Sequence, residues 1–208
     1  MRPVLYWADV SELNTDPGLY PLSEDRLASL SRLKNEAVRQ QGLGAELLLI
    51  TALRRLEKNL SLPLSVSRTK QGKPILEGMP WQFNLSHTGH YAACCVYDRP
   101  IGIDIQETRH VPERFLTRFF TPAEKQAVLD SNQPDEVFTY IWCRKESFLK
   151  AAGLGISVEL NSFEVLADEL VWQEAEYSFQ SGQTDAFHYA FCCEGKGLVP
   201  LAFQRVIL

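Results

Sequence analysis

The sequence predicts an α+β protein built from two similar halves, each carrying a small, mostly antiparallel sheet and helices. Three observations predict it. Some stretches repeat their apolar residues at helical spacing, while others alternate apolar and polar residues with the period of a half-buried strand. The segment His90-Tyr91-Ala92-Ala93-Cys94-Cys95 returns 98 residues later as His188-Tyr189-Ala190-Phe191-Cys192-Cys193, and both copies read as strands followed by a turn and another strand. Finally, 208 residues with 45% hydrophobic content suffice for one sizeable core or two small ones. On this reading residues 1–100 form an N-terminal half and residues 101–208 a C-terminal half of one compact, pseudo-symmetric unit.

The elements come in the following order. Leu5 to Val10 reads as a strand. Ser23 caps a helix whose first turn holds Glu24 and Asp25, as the helix dipole favours. A second helix is expected from Glu36 to Leu60, with Leu43, Leu47, Ile50 and Leu53 on one stripe, before Pro63 stops it. Strands come next near Val66, Gln82, Ala92 and Ile103. Thr121-Pro122-Ala123-Glu124 is a capping box with proline at the first helical position. A helix around Trp142 ends at Gly153 and Gly155. Ser162–Leu166, Tyr177–Phe179, Tyr189–Cys193 and Leu201–Ile207 alternate like strands.

Composition narrows the class. The N-terminus, Met1 to Trp7, has no signal-peptide apolar stretch, and the longest apolar run, Leu47 to Ile50, is far too short to cross a bilayer, so a cytoplasmic protein without membrane contact is expected. Cys94, Cys95, Cys143, Cys192 and Cys193 have neither a disulfide framework nor a zinc-knuckle spacing, and read as reduced, buried small residues. Between Ala151 and Gly195 there are eight acids and no Lys or Arg; with a formal total of −5 the rest of the chain carries +3. No basic domain marks a nucleic-acid binder. A local basic cleft from Arg39, Arg68, Lys70, Lys73, Lys145 and Lys150 suits a small polyanion.

The chemistry concentrates in three segments. In Ile101-Gly102-Ile103-Asp104-Ile105-Gln106, Asp104 and Gln106 leave the strand on one side, and Gly102 removes a side chain that would crowd them. In Trp142-Cys143-Arg144-Lys145-Glu146-Ser147-Phe148-Leu149-Lys150, Trp142, Glu146 and Lys150 share a helix face. Upstream, Gly72-Lys73-Pro74 precedes a strand, Trp81 to Ser86, ending in a Ser86-His87-Thr88-Gly89 turn where hydroxyls and an imidazole can meet an anion. Alone, an Asp like Asp104 is more often a strand-end or turn residue than a ligand, and a Glu–Lys pair is usually a solvated salt bridge contributing a few tenths of a kcal/mol. Together, a strand carboxylate facing a helical Glu–Lys pair can hold Mg²⁺ against a phosphate.

The order Gly-Lys-Pro, Phe-Asn-Leu-Ser-His-Thr, Gly-Ile-Asp-Ile and Trp-x-x-Lys-Glu-Ser-x-x-Lys, spanning Gly72 to Lys150, resembles the 4′-phosphopantetheinyl transferases of the long, surfactin-synthetase-activator type. The short, trimeric holo-acyl-carrier synthases, about half this length, are a poorer match. The resemblance implies halves related by a pseudo-two-fold axis with the active site in the cleft between them, the N-terminal half holding the nucleotide and the C-terminal half the metal and catalytic helix. It implies transfer of the phosphopantetheine of coenzyme A to a serine of an apo acyl or peptidyl carrier protein, with Mg²⁺, by a monomer. Asp104 and Glu146 would be metal ligands, Glu146 also a base, and Lys150 the steadying cation at the pyrophosphate. Lys145 would line the same phosphates. Lys73, Pro74, Ser86 and His87 would hold the nucleotide end, with Arg39 at the 3′-phosphate, while Trp142 and Cys143 would be packing. Gln106 departs from the pattern, since many relatives carry Glu there. It would act directly or through water, with weaker metal affinity. Phe115, Phe119 and Phe120, with Arg114, Arg118 and Lys125, are either a docking face for an acidic carrier or core aromatics beside a solvated surface. Two alternatives stay open: a degenerate, non-catalytic coenzyme A or carrier-binding protein, and a metal-dependent pyrophosphate hydrolase.

Overall fold

Tight apolar packing against a few small residues organises each part of the chain. The computed structural model describes residues 2–155, 158–197 and 200–208. The chain divides into two units, Met1–Asp98 with Leu201–Leu208, and Arg99–Pro200. The first is built from β1 (Val4–Asp9), α1 (Glu24–Ser31), α2 (Glu36–Leu56), β2 (Val66–Arg68), β3 (Pro74–Leu76), β4 (Gln82–Thr88) and β5 (Tyr91–Tyr97). The second contains β6 (Ile101–Gln106), α3 (Glu113–Phe119), α4 (Pro122–Leu129), α5 (Pro134–Ala152), β7 (Glu169–Trp172), β8 (Ala175–Gln183) and β9 (His188–Glu194). The chain then returns to the first unit with β10 (Ala202–Arg205). The expected second half therefore loses its last residues to the first, because β10 pairs in parallel with β1.

In the first unit a four-stranded sheet, ordered β10-β1-β5-β4, is covered by α2, and β2 and β3 form a separate hairpin. Ser23 and Asn35 cap α1 and α2 with their side chains, accepting from the backbone N–H groups of Arg26 and Val38. The stripe Leu43, Leu49, Ile50 and Leu53 of α2 is buried with Phe83, Ala92, Cys94 and Val96. Gly44 lets α2 come down on the sheet, since a Cβ there would lie 2.3 Å from a Val10 methyl. The helix stops at Leu56 rather than Leu60: Glu57 turns extended, and its carboxylate accepts from the Trp81 indole at 2.6 Å.

In the second unit the antiparallel sheet β6-β9-β8-β7 is covered by α5, with Phe138, Ile141, Phe148, Phe163 and Phe179 in its core. The capping box at Thr121 is formed as expected, and α5 ends on Gly153 in the left-handed conformation. The two echoed segments fall on β5 and β9, each an interior strand of its sheet, which explains their four fully buried cysteines. The sequence pattern did not mark β3, β7 or α3.

One expected strand, Ser162–Leu166, is not a strand. Its backbone is satisfied by side chains instead. Lys145 donates to the carbonyls of Leu160 and Phe163, Arg144 to those of Val165 and Ala167, and Val165 N–H donates to Glu124. With those groups engaged, no neighbouring strand is needed to pair them.

Candidate active site

The site in the second unit starts from Gly102. A Cβ there would stand 2.0 Å from the Ser147 carbonyl oxygen and 2.4 Å from the Ala151 nitrogen, so glycine is what lets α5 lie directly on β6. Its role is helix approach, rather than the clearing of space for Asp104 and Gln106. The approach drops Lys150 onto Asp104. Lys150 Nζ donates to Asp104 Oδ1 at 2.7 Å and to the Ile103 carbonyl at 3.0 Å. Asp104 is 2% exposed, so this pair is charge-assisted and largely shielded from water. Gln106, two residues on and on the same side of β6, donates from Nε2 to Asp104 Oδ2 at 3.2 Å. Its carbonyl oxygen is buried with no hydrogen-bond partner.

Glu146, one turn before Lys150, is half-buried and lines a cavity of about 430 Å³ with Arg118, Phe119, Leu149, Leu160 and Asn161. Burial pushes its carboxyl above the ordinary value, the Asp104 charge pushes the same way, and Lys150 opposes both. Cys143 is buried and its thiol is driven well up by desolvation, so it stays a packing residue. Trp142 stacks on Phe138 at 6.0 Å and lines a second cavity, about 240 Å³, with Gln106, Arg109, Phe115 and Phe138. Asp104 and Glu146 supply carboxylates and Gln106 an unpaired amide oxygen, the donor types a hard cation such as Mg²⁺ takes, with Glu146 bordering the first of these cavities and Gln106 the second. Among the described residues no group of three or more His, Cys, Asp or Glu makes a denser metal cluster.

Lys145 is elsewhere. It is fully buried, its ammonium 2.7 Å from Glu124 and donating to two carbonyls, over the Phe163 ring. Its expected place at the phosphates is corrected, since one residue along a helix is a rotation of roughly 100°. Burial lowers its pKa while Glu124 raises it. Glu124 was legible as a capping residue, but nothing in its spacing announced its buried partner. Arg144 is likewise buried, bonded to Tyr140 and Asp168. His188, which sequence reasoning passed over, lies 2.7 Å from Glu136.

The nucleotide-side residues lie in the first unit. Lys73 and Pro74 close the β2–β3 hairpin, where Gly72 takes a φ of 88° and Lys73 N–H donates to the Thr69 hydroxyl. Pro74 borders a cavity of about 500 Å³ together with Arg26, Glu46, Arg68, Phe83 and Leu85. Ser86 and His87 are not in a turn: β4 runs on to Thr88, and the reversal is made by Gly89 and His90, with Thr88 paired to Tyr91. Ser86 is therefore buried on one face of an edge strand, while exposed His87 leaves by the other. Arg39, on α2, has a buried Nε without a hydrogen-bond partner and borders a small cavity with Thr15, Leu30 and Ser31.

Of the suggested docking residues, Phe120 is core, Phe115 and Phe119 are half-buried, and Arg114 and Arg118 are exposed. Lys125 is engaged by Glu113 at 3.1 Å.

The family model described as the 4′-phosphopantetheinyl transferase superfamily matches residues 100–199. A 4′-phosphopantetheinyl transferase of Bacillus subtilis is 35% identical over 161 residues, covering 70% of this chain and 71% of that protein. The 4′-phosphopantetheinyl transferase Sfp of Bacillus subtilis strain 168 is 37% identical over 48% of this chain and 46% of its own length. The 4′-phosphopantetheinyl transferase HetI of Nostoc is 38% identical over 46% of this chain and 44% of its own. No helix among the described residues is long and apolar enough to cross a membrane. By these likenesses the chain belongs to the 4′-phosphopantetheinyl transferase superfamily.

Proposed function

We propose that this chain transfers the 4′-phosphopantetheine group of coenzyme A to a serine hydroxyl of an apo acyl or peptidyl carrier protein, releasing 3′,5′-ADP, with Mg²⁺ held at β6 and α5. The observation that carries it, beside family membership, is the buried Asp104 carboxylate held by Gln106 and by Lys150, which follows Glu146 by one turn of α5. The chemistry that Mg²⁺ supplies when bound is charge neutralisation on the pyrophosphate. Asp104, Glu146 and the Gln106 carbonyl are the residues that would hold it, the last directly or through a water.

The carrier serine oxygen bonds to the β-phosphorus, and the bond from that phosphorus to the bridging oxygen of 3′,5′-ADP breaks. Phosphoryl transfer of this kind depends on in-line placement and electrostatics more than on covalent help from the protein. Glu146 takes the serine proton, its raised carboxyl being a stronger base than an exposed one. Lys150 steadies the leaving oxygen. Arg39, Lys73, Pro74, Ser86 and His87 serve the nucleotide end, with the unpaired Arg39 Nε supporting an anion there. The reading takes the enzyme as a cytoplasmic monomer acting on an acidic carrier.

The test is an intact-mass assay on an apo acyl carrier protein with coenzyme A and Mg²⁺. The expected result is a gain of one phosphopantetheine, abolished by chelator and slowed at least roughly 10²-fold in Asp104→Ala, the scale of losing one charge-stabilising group. No gain on several unrelated carriers, despite coenzyme A binding, points to a degenerate binding protein. Release of 3′,5′-ADP without any carrier points to a hydrolase.

A further inference from the structure

Thr108, Glu136 and His188 form a cluster that the transfer chemistry leaves unused. His188 opens β9, is 4% exposed, and stands directly opposite Gln106 in the β6–β9 register, so the two side chains share a face of the sheet. Its Nε2 lies 2.7 Å from Glu136 Oε2 and 3.2 Å from the Thr108 hydroxyl, which itself donates to Glu136 Oε1 at 3.3 Å. The next two residues repeat the pattern. Arg109 N–H donates to the Thr139 hydroxyl at 3.2 Å, and His110 Nδ1 lies 3.2 Å from Asp135. Three successive residues beyond β6 are thus fastened to the first two turns of α5, the helix that carries Glu146 and Lys150.

Gln106 is the last residue of β6, separated from this fastened segment by Glu107 alone. One end of its amide is held by Asp104, and its carbonyl oxygen is buried without a partner. An amide held at one end takes its direction from the backbone that carries it and from the side chain beside it. Here that backbone is pinned through Thr108, and the cross-strand neighbour is His188.

We propose that His188, acting with Thr108 and Glu136, is a positioning residue that fixes the end of β6 against α5 so that the Gln106 carbonyl joins Asp104 as an oxygen donor to the metal. The proposal rests on the transferase reading with its divalent cation. Residues supporting a metal ligand from behind typically change metal affinity by about 10- to 100-fold when replaced.

The test is Mn²⁺ binding to the full chain, followed by the electron paramagnetic resonance of the free ion with coenzyme A present, beside transfer kinetics on an apo carrier. His188→Asn should weaken Mn²⁺ binding about tenfold and the near-isosteric Thr108→Val about threefold, with metal-free coenzyme A binding unchanged. Because His188 acts through Gln106, His188→Asn should add nothing in a Gln106→Ala background. Unchanged Mn²⁺ binding in Thr108→Val and His188→Asn, or fully additive losses in the double variant, overturns the proposal. If His188→Asn does not fold, Thr108→Val and Glu136→Gln decide it alone. A chain that binds Mn²⁺ with these dependences but modifies no carrier sinks the transferase reading and leaves the positioning role standing. A chain that modifies carriers with metal affinity indifferent to all three residues does the reverse.

Discussion

Replacing Gly102 by alanine should damage stability and turnover together, and the structure gives the size of both effects. The new methyl would meet the Ser147 carbonyl oxygen at 2.0 Å, whereas ordinary contact begins at 3.4 Å. Strand and helix must separate by about 1.4 Å, and both obstacles are backbone atoms that cannot rotate away. Overpacking of this severity costs about 3 kcal/mol, which in a chain of this length lowers Tm by roughly 6–12 °C. The same displacement opens the 2.7 Å contact between Lys150 and Asp104, and an error of about 1 Å in a positioned site costs roughly 10²-fold in rate. Thermal unfolding and intact-mass kinetics on one preparation measure both. Gly42→Ala is the control: a Cβ there meets only a Leu30 methyl at 3.2 Å and the end of the Arg26 side chain, so it should leave turnover intact. A Gly102→Ala protein with wild-type Tm and wild-type turnover would refute the close approach and the placement of Lys150 that depends on it.

Gln106→Glu should lower the Mg²⁺ concentration for half-maximal rate by about tenfold, since a charged ligand replaces a neutral one; an unchanged Mg²⁺ dependence sinks the idea. Glu146→Gln should slow transfer by roughly 10²- to 10⁴-fold, and the wild-type rate should fall as pH drops through the raised Glu146 value, where the carboxyl can no longer accept a proton. The same group has a stability signature. With its folded pKa above the unfolded value, ionised Glu146 costs stability that appears as pH rises from the unfolded value through the folded one, so Glu146→Gln should be the more stable protein above that window and no better below it. Lys145→Met should lose about 3–5 kcal/mol in denaturant unfolding by stranding Glu124, and Glu124→Gln in the same chain should recover much of it; normal unfolding with weakened coenzyme A binding would return Lys145 to the phosphates. Charge reversal at exposed Arg114 and Arg118 should raise the carrier KM about tenfold without touching coenzyme A affinity, and an unmoved KM would leave them a solvated surface.

Period and punctuation made much of this legible. The strand parity of Asp104 and Gln106, the helix face shared by Glu146 and Lys150, and the capping box at Thr121 are local consequences of spacing, and local rules are what a sequence displays. The features that could not be read depend on partners far along the chain. Lys145 adjoins Glu146 in the motif, yet its direction was decided by Glu124 and by the carbonyls of Leu160 and Phe163. Alternation in Ser162–Leu166 suggested a strand because nothing local tells a backbone hydrogen-bonded by a strand from one hydrogen-bonded by Arg144 and Lys145. Ser86 and His87 looked like a turn because Gly89 comes soon after, but a two-residue reversal leaves both inside β4. His188 was visible only as part of an echo, and the echo differs where it matters, since His90 is exposed and His188 buried.

The return of β10 to β1 has a consequence for how the molecule is made. A chain emerging from the ribosome releases β1 before the second unit and β10 only after the whole of Arg99–Pro200 has passed. Until then the outer side of β1 is an open row of backbone donors and acceptors, the kind of edge that recruits strands from other chains. The second unit is one continuous stretch that borrows no strand from residues beyond Pro200, so it can close during synthesis. The first unit cannot complete its sheet until the last strand arrives. Removing β10 would therefore harm the unit whose other strands are made before the second unit.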